Sequence, residues 1–419
     1  MIENVWEWAA VRMVQKYGGT SVGSVERIQA VADRIAAARR EGHEVAVVVS
    51  AMGHTTDELV ALAKEVTPHP EGREMDALLA TGEQVSAALV AMALDMRGVR
   101  AQSFTGWQAG IATEPVHGAA RIEHIDTEAL EAALRAGIVP VITGFQGIAA
   151  NAVTTLGRGG SDTSAVAVAA ALKADVCEIY TDVTGVFTTD PRVVKTAKKL
   201  EHVSYDEMLE LANLGAQVLH PRAVENAKQF QVPLVVRSSF TEEEGTWVTE
   251  TAQGFEQRHI VTGIAFEREV SRIALIGVAV GRHGLASVFG TLADNNVNVD
   301  VIVQSVVQEA EVDVSFTVKD DDVDKALRIV RGLQDHLGYT DLVSESGLAK
   351  VSIVGAGMIS NPGVAAKMFQ VLADGDIPVK MVSTSEIKVS CIIPAVQLDA
   401  AVRQLHEAFL EQEVPVAES

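Results

Sequence analysis

The stretch MVQKYGGTSVG, residues 13–23, decides how the first half of the chain is interpreted. Its apolar start is typical of a buried strand, and two glycines then form a turn. Lys16 stands just before that turn, with only Tyr17 between them. Backbone N–H groups of a glycine-rich turn can approach phosphate oxygens closely, and a following helix adds its positive N-terminus. The order is not that of a Walker A P-loop, where lysine follows the glycines, so a phosphate site and a plain strand-to-helix turn both remain open.

Strands and helices alternate along the rest of this half. Short β-branched runs begin at residues 44, 137, 176 and 232, and runs with helical spacing begin at residues 25, 128 and 163. Ser204 and Glu207 have the spacing of a capping box that begins another helix. This rhythm predicts an α/β fold with a mostly parallel sheet and helices on both faces. Ligands bind such sheets at the carboxyl ends of the strands, so site residues are expected there.

The composition excludes several classes of protein. The 419 residues are 48% hydrophobic and 21% charged, which is typical of two or three globular domains. The 34 Lys and Arg against 56 Asp and Glu give a net charge of -22, which argues against nucleic acid and membrane as partners. No uncharged apolar run approaches the roughly 20 residues of a membrane span. With two cysteines and no signal peptide, a cytoplasmic location is expected.

The C-terminal part contains an internal repeat. FGTLADNNVNVDVIVQS starts at residue 289 and FQVLADGDIPVKMVSTS at residue 369, 80 residues later. Each copy lies between β-like runs and follows a glycine, Gly284 or Gly363, that begins a helix. This predicts two small β-α-β-β-α-β units after an acidic connection at residues 240–259, suited to sensing or assembly. VGAGMIS at residues 354–360 is similar to a dinucleotide fingerprint, but it lacks the third glycine and falls inside the second unit.

Polar clusters follow several strands of the first half. Ser50 is followed by Thr55 and Thr56, which could bind a small polar ligand or only cap a helix. Glu83 interrupts an alanine-rich helix, either as a solvated position or as an acceptor for an ammonium group. These clusters, like the turn after Lys16, each have a structural alternative.

Two further clusters are denser. TTLGRGGSDTSA, residues 154–165, places a guanidinium, glycines, a hydroxyl and an acid where a helix begins, and Arg158 could bind a carboxylate bidentately there. YTDVTGVFTTDPR, residues 180–192, places Asp182 at a strand end, where it could contact a metal-bound phosphate. The alternative for this last stretch is an Asx-type turn before a proline. The eleven histidines have no metal-site spacing.

In order and spacing, KYGGTS, TTDEL, TLGRGGSD, GVFTTDPR and STSEIK resemble the motifs of the aspartate kinases of the amino-acid kinase family. The two repeats resemble the paired ACT domains of that family. The resemblance implies a three-layer αβα kinase domain at residues 13–240, a linker at 241–262, and ferredoxin-like ACT domains at 263–345 and 346–419. It also implies ATP-dependent phosphorylation of the side-chain carboxylate of L-aspartate, with ATP and Mg²⁺ as cofactors. That reaction is the first step towards lysine, threonine and methionine.

The same resemblance assigns residues to sites. Lys16 would stabilise the transferring phosphoryl group and Asp162 would orient that lysine. The aspartate site would contain Ser50, Thr55, Thr56, Glu83, Arg158, Gly159, Gly160 and Ser161, with Glu83 facing the ammonium group. The nucleotide site would contain Lys16, Tyr17, Gly18, Gly19, Ser50, Ser161, Tyr180, Thr181, Asp182, Phe187, Asp190, Arg192 and Gln217. Amino-acid effectors would contact Asp294, Asp300, Gln304, Asn361, Pro362, Ser383, Thr384, Ser385 and Glu386. Ligands of the metal are not assigned.

The chain departs from the family pattern at three places. Gln217 stands in GAQVLHP where the family commonly has lysine. The first ACT unit has GRHG, residues 281–284, in place of D-x-P-G, so weakened or altered feedback by lysine or threonine is expected. Residues before Met13 have no counterpart. Because ACT domains often pair between chains, a homodimer or higher oligomer is expected.

Two other functions compete with this interpretation. One is a kinase for glutamate or its acetylated form, which the paired ACT units and TTDEL argue against. The other is a ligand sensor whose kinase domain is inactive, which the presence of Lys16, Arg158, Asp162 and Asp182 argues against.

Overall fold

The computed structural model describes residues 10–214, 218–250, 260–279, 284–308 and 311–411. These residues form two compact units. Of the described residues, the first unit contains 10–186, 199–213 and 218–250. The second contains 187–198, residue 214 and everything from residue 260 onward.

The first unit alternates strands and helices as the sequence predicts. Its strands are β1 (Arg12–Tyr17), β2 (Glu44–Val49), β3 (Ala101–Phe104), β4 (Ile111–Thr113), β5 (Ile122–Ile125), β6 (Val139–Thr143), β7 (Gln146–Ala149), β8 (Ala152–Thr155), β9 (Val176–Thr181), β10 (His202–Ser204), β11 (Leu234–Ser238) and β12 (Thr246–Thr249). Its helices are α1 (Val25–Arg40), α2 (Thr55–Val66), α3 (Gly72–Asp95), α4 (Glu128–Arg135), α5 (Gly160–Ala171), α6 (Tyr205–Asn213) and α7 (Pro221–Phe230).

The predicted parallel sheet is confirmed. Eight strands lie in the order β10-β12-β11-β9-β1-β2-β6-β3, and only the β11–β12 pair is antiparallel. A smaller sheet has the order β5-β4-β7-β8. Helices α1 and α3 share one hydrophobic core with β1 and β2, while α5 packs on β1, β2 and β9. The strongly apolar run of β2 is buried along almost its whole length because helices cover both sheet faces.

Helix termini follow local sequence rules. At α6, the hydroxyl of Ser204 accepts from the N–H of Glu207 at 3.3 Å. The carboxylate of Glu207 in turn accepts from the N–H of Ser204 at 3.1 Å, so the predicted capping box is present. Helix α3 is long and apolar enough to cross a membrane by length and composition. However, 56% of its most apolar window is buried in the unit, which is the behaviour of a core helix.

The acidic stretch at residues 240–259 contains a strand that the sequence pattern does not indicate. Residues 246–249 form β12, which lies between β10 and β11 in the main sheet. Thr246 and Val248 point inward while Trp247 and Thr249 are half-exposed. Four residues are too few for this alternation to stand out from the surrounding acidic sequence.

The second unit contains one antiparallel sheet in the order β14-β15-β13-β16-β18-β17. The strands are β13 (Gly263–Ala279), β14 (Ile302–Gln308), β15 (Glu311–Lys319), β16 (Asp341–Val354), β17 (Met381–Thr384) and β18 (Lys388–Pro394). The helices are α8 (Gly284–Asp294), α9 (Val323–Gly332), α10 (Gln334–Leu337), α11 (Val364–Asp374) and α12 (Leu398–His406), with a π-helical turn at Glu407–Glu411.

Two half-units within this sheet confirm the sequence repeat. Strands β13 and β16 are long enough to pair with each other along both halves. Helices α8 and α9 pack in one hydrophobic core, and α11 and α12 pack in another. Helix α8 begins at Gly284, and α11 begins directly after Gly363, whose φ is +97°. Each half therefore has the two-helix, four-strand layout expected of a ferredoxin-like unit.

Segment 187–198 folds with the second unit. Val194 is buried in the core that contains α11 and α12. The hydroxyl of Thr188 lies 2.9 Å from Nε2 of the buried His406. The backbone carbonyl of Thr188 accepts from the N–H of Ile264 at 2.7 Å.

Candidate active site

The glycine-rich turn after β1 is fastened to its neighbours. The N–H of Gly18 donates to the carbonyl of Tyr180 at 3.2 Å, and the N–H of Gly53 donates to the carbonyl of Gly19 at 3.0 Å. A Cβ atom on Gly19 would lie 2.9 Å from the carbonyl oxygen of Ala51. Only glycine fits this close approach, which draws the turn after β1 against the turn after β2.

A cavity of about 640 Å³ opens where these turns meet, at the carboxyl ends of β1 and β2. Such a volume is sufficient for a small metabolite. The cavity brings together most of the predicted catalytic and aspartate-binding residues. Those that line it are Lys16, Gly19, Ser50, Thr56, Glu83, Arg158, Gly159, Gly160, Ser161 and Asp162. Thr55 begins α2 beside them but is not part of the lining.

Lys16 and Asp162 form an ion pair at the cavity wall. The Nζ atom of Lys16 lies 2.5 Å from Oδ1 of Asp162, and the side chains are only 11% and 13% exposed. Asp162 belongs to the first turn of α5, where a carboxylate is favoured by the helix dipole. The pair therefore holds an ammonium group beside the cavity and beside a helix N-terminus.

Glu83 projects from α3 with one carboxylate oxygen unsatisfied. Its side chain is almost fully buried, and Oε1 accepts from the N–H of Ala51 at 3.1 Å. Oε2 is also buried and has no hydrogen-bond partner among the described residues. Burial raises the pKa of Glu83 to about 7, although backbone hydrogen bonds oppose that shift. A buried carboxylate of this kind is suited to a cationic ligand group.

Arg158 lies between two glycines in left-handed conformations. Gly157 has φ +75° and Gly159 has φ +67°. A Cβ atom on Gly159 would lie within 2.0 Å of the His220 ring. Arg158 itself is exposed, and no hydrogen bond or ion pair joins it to the part of the chain that the structure describes. Its guanidinium is thus available to an anion at the cavity mouth.

The cavity also contains residues that sequence analysis missed. Asp76 is buried, and its carboxylate accepts from the N–H of Gly118 at 3.1 Å and the hydroxyl of Thr155 at 2.5 Å. Phe145 contributes to the wall with a strained φ of +69°. Asp76 precedes Glu83 by seven residues and so lies on the same helix face, a signal that could have identified it.

The predicted nucleotide residues outside the cavity lie in several different places. Thr181 ends β9 and Asp182 follows it, next to the Lys16 turn, and the Asp182 side chain is exposed. The prediction is corrected for the side chains of Tyr17 and Tyr180. Their rings stack 4.7 Å apart in the core under α1, so only their backbone could reach a ligand. Gln217 lies outside the described residues.

The remaining predicted nucleotide residues, Phe187, Asp190 and Arg192, belong to the second unit. Both carboxylate oxygens of Asp190 accept from the guanidinium of Arg192 at 2.8 to 3.0 Å, and this hydrogen bonding lowers the pKa of Asp190. The N–H of Arg192 also donates to Asp190 at 2.8 Å, which is the Asx-type turn that sequence analysis left open. No cluster of three or more potential metal ligands occurs within the described ranges.

The predicted effector residues lie in the second unit, and one of them forms an ion pair. The carboxylate of Asp300 pairs with the buried Lys350, which also lies 2.8 Å from Glu267. Because the carboxylate of Asp300 is already paired with Lys350, it is less available to a ligand. The others lie at the end of α8, in β14, before α11 and in or after β17, namely Asp294, Gln304, Asn361, Pro362, Ser383, Thr384, Ser385 and Glu386. Gly281 is not among the described residues.

Comparison with known proteins agrees with this geometry. The model of the amino acid kinase family matches residues 11–238, and the ACT domain model matches residues 273–332 and 351–409. An aspartokinase of Bacillus sp. (strain MGA3) is 58% identical over 398 residues, which cover 95% of this chain and 97% of that protein.

Two solved structures extend the comparison. E. coli aspartokinase III in complex with aspartate and ADP, in the R-state, has a TM-score of 0.79 at 28% identity and is matched over 96% of this chain and 100% of its own. The same enzyme with lysine and aspartate, in the T-state, has a TM-score of 0.75 at 28% identity, with 95% and 99% coverage. The chain therefore belongs to the aspartokinases of the amino acid kinase family.

Proposed function

We propose that this enzyme transfers the γ-phosphoryl group of ATP to the side-chain carboxylate of L-aspartate, giving 4-phospho-L-aspartate and ADP. One observation carries the proposal: one cavity is lined by a buried carboxylate and a guanidinium that have binding capacity unused by the described residues, and by a lysine held in an ion pair. An α-amino acid has one ammonium group and one α-carboxylate, which match the first two. The lysine is then left for the phosphoryl group.

Substrate binding follows from charge. Glu83 accepts hydrogen bonds from the ammonium group, and Arg158 binds the α-carboxylate bidentately. Ser50, Thr56 and Ser161, with the backbone of Gly159 and Gly160, complete the polar lining. Held at both α-groups, the amino acid presents its side-chain carboxylate towards Lys16. Side-chain length then discriminates between aspartate and glutamate.

Phosphoryl transfer needs little proton chemistry from the protein. The attacking carboxylate has an ordinary pKa near 4, so it is ionised at pH 7 and requires no general base. The difficulty is the approach of two anions, which positioning and electrostatic stabilisation overcome. Lys16, held by Asp162, supplies a positive charge next to the transferring group. The N-terminus of α5 adds its dipole.

Nucleotide binding is assigned to the neighbouring strand ends. The Gly18-Gly19 turn, Thr181 and Asp182 lie at the carboxyl ends of the paired strands β1 and β9. The exposed carboxylate of Asp182 fits Mg²⁺, which usually takes only one or two protein carboxylates together with phosphate oxygens. When bound, Mg²⁺ neutralises charge on the phosphates. Phe187, Asp190, Arg192 and Gln217 remain proposed nucleotide residues.

Further proposals concern the whole chain. The proposed domain bounds are 13–240 for the kinase and 263–345 and 346–419 for the ACT domains. We propose a cytoplasmic homo-oligomer that catalyses the first step of lysine, threonine and methionine synthesis. Lysine or threonine would act at the ACT domains, which the lysine complex of the E. coli relative supports.

The test is ADP release by purified enzyme with MgATP and L-aspartate, L-glutamate or N-acetyl-L-glutamate. We expect ADP release with L-aspartate and with neither of the other two acids. We also expect hydroxylamine to trap the acyl phosphate that forms. Activity with glutamate in its place would reassign the substrate. A folded protein that is inactive with all three acids would favour the ligand-sensor alternative.

A further inference from the structure

The side chain of Arg158 forms no hydrogen bond or ion pair with the described residues, so the loop that carries it needs support from elsewhere in the unit. Gly157 and Gly159, on either side of Arg158, give the backbone wide conformational freedom in the unfolded chain. A guanidinium that binds a carboxylate bidentately must nevertheless be held within a narrow range of positions. The supporting contacts therefore bear on substrate binding.

Arg222, at the start of α7, supplies such contacts. One terminal nitrogen donates to the carbonyl of Leu156 at 2.6 Å, and the other donates to the carbonyl of Ala120 at 3.1 Å. Leu156 lies two residues before Arg158. Ala120 lies in the loop between β4 and β5. Gly118, in the same loop, lines the cavity. One side chain thus joins the two loops that form one side of the cavity.

The two carbonyls depend on this side chain. Leu156 and Ala120 are both fully buried, and their N–H groups are already used in backbone hydrogen bonds to Phe145 and Thr155 at 2.8 and 2.9 Å. Without Arg222, both carbonyls would lose their donor in a buried environment. The backbone just before Arg158 would then have to move to find another donor or water.

Arg222 has no carboxylate partner to explain its own position. No ion pair with Asp or Glu involves it in the described ranges, and it is half-buried. Partial burial is the main factor that lowers its pKa, and the neighbouring charge of Arg121 adds to this. Partial burial of a guanidinium costs free energy. The two hydrogen bonds to the carbonyls of Leu156 and Ala120 explain why Arg222 is placed there.

We propose that Arg222 is a positioning residue for aspartate binding, which acts by fixing the loop of Arg158 through two backbone carbonyls. This rests on the proposed function, since it takes Arg158 as the ligand of the α-carboxylate. Lysine cannot replace it, because one ammonium group cannot reproduce a planar fork that spans two acceptors. The roles of charge and geometry can therefore be separated.

The experiment compares R222K, R222M and R121Q in the full-length enzyme. L-aspartate affinity is measured by calorimetry and by KM, and nucleotide affinity by calorimetry with a non-hydrolysable ATP analogue. We expect R222K and R222M to weaken aspartate binding by about tenfold, the scale of one lost charged hydrogen bond, with nucleotide affinity within twofold of wild type. R121Q removes an exposed nearby charge without touching the carbonyls and should leave aspartate binding unchanged.

A double-mutant cycle with R158A completes the test. If Arg222 acts through Arg158, R222K should cost little further aspartate affinity in the R158A background. Full additivity would overturn the inference, as would wild-type affinity in R222K or an equal loss in R121Q. If R222M is poorly folded by its melting curve, R222K alone carries the test. Failure of the wild-type enzyme to bind aspartate would instead refute the proposed function. If the wild-type enzyme binds aspartate and R222K binds it with the same affinity, only the role of Arg222 is refuted.

Discussion

Lys16 and Asp162 are joined by an ion pair of 2.5 Å between Nζ and Oδ1, although one lies near the end of strand β1 and the other in the first turn of helix α5. Both side chains are nearly buried, so the contact is only weakly screened by salt. The pair gives the cavity a cation that is in place before any ligand arrives. Such preorganisation is the property that electrostatic catalysis requires.

Lys16→Ala should therefore lower kcat far more than it changes the KM for aspartate. We expect a fall of about 10²–10³-fold, the scale for loss of one preorganised electrostatic contact. Steady-state kinetics with Lys64→Ala as control, an exposed lysine on α2, checks this. A Lys16→Ala enzyme within tenfold of wild-type kcat would contradict the role of Lys16.

Arg158→Ala should damage the use of aspartate and leave the nucleotide nearly unaffected. Because the guanidinium has no partner in the described structure, its loss should not destabilise the fold. We expect the KM for aspartate to rise by about tenfold or more, as for a lost charged hydrogen bond. Calorimetry with an ATP analogue is the control measurement. An equal loss of nucleotide affinity would move Arg158 to the phosphates.

Glu83 should make aspartate use depend on pH near neutrality. Its pKa is raised to about 7, and only the ionised form attracts an ammonium group. The kcat/KM for aspartate should therefore rise about tenfold between pH 6 and pH 8, and Glu83→Gln should be slow without this rise. A pH profile of wild type that is flat across this range would argue against the assignment.

The same ionisation should affect stability in the opposite direction. The native state holds the proton of Glu83 more tightly than the unfolded chain, in which the carboxyl group has its ordinary pKa of 4.5. The corresponding stabilisation is complete below that value and is lost as the pH rises through about 7. Urea denaturation of wild type and Glu83→Gln across this range measures the difference, which should grow in favour of the variant. Parallel curves would contradict it.

Gly159→Ala should be more harmful than its backbone angle alone explains. Gly137 has nearly the same φ, +69° against +67°, but a Cβ atom there meets nothing within 4 Å. Both substitutions carry a left-handed penalty of about 1–2 kcal/mol. Only Gly159→Ala also collides with His220, so its urea midpoint should fall further and its aspartate KM should rise. Equal midpoints for the two variants would show that the His220 ring moves aside freely.

Feedback should be present but weak. The first ACT unit has Gly281 where the resemblance to the family leads us to expect an acid, and Asp300 forms an ion pair with Lys350. An effector shifts a conformational equilibrium only through its difference in affinity for the two states, so loss of one contact reduces inhibition. Titration of lysine, threonine and both together at subsaturating aspartate measures this. Strong inhibition by threonine alone at micromolar concentration would mean that another residue replaces the missing acid.

Local patterns predicted the sheet and the repeat, and motif spacing with the family resemblance predicted ten of the 22 residues that line the cavity. Lys16, Glu83 and Arg158 were found because each stands out against glycine or alanine neighbours. Asp76 and Arg222 were missed because their importance depends on partners far away in sequence, such as Thr155 and Leu156. Strand β12 was missed because its pairing with β11, not its own four residues, makes it a strand.

The packing of segment 187–198 with the second unit affects how the enzyme can be dissected. Thr188 and Val194 lie in that unit although they precede β10 and the last two strands of the first unit. Cleavage of the chain between residues 250 and 260 would therefore leave an N-terminal fragment that still carries part of the hydrophobic core around α11 and α12. Nicked enzyme should remain associated during gel filtration, and a kinase fragment expressed without the ACT domains should expose the apolar face of this segment.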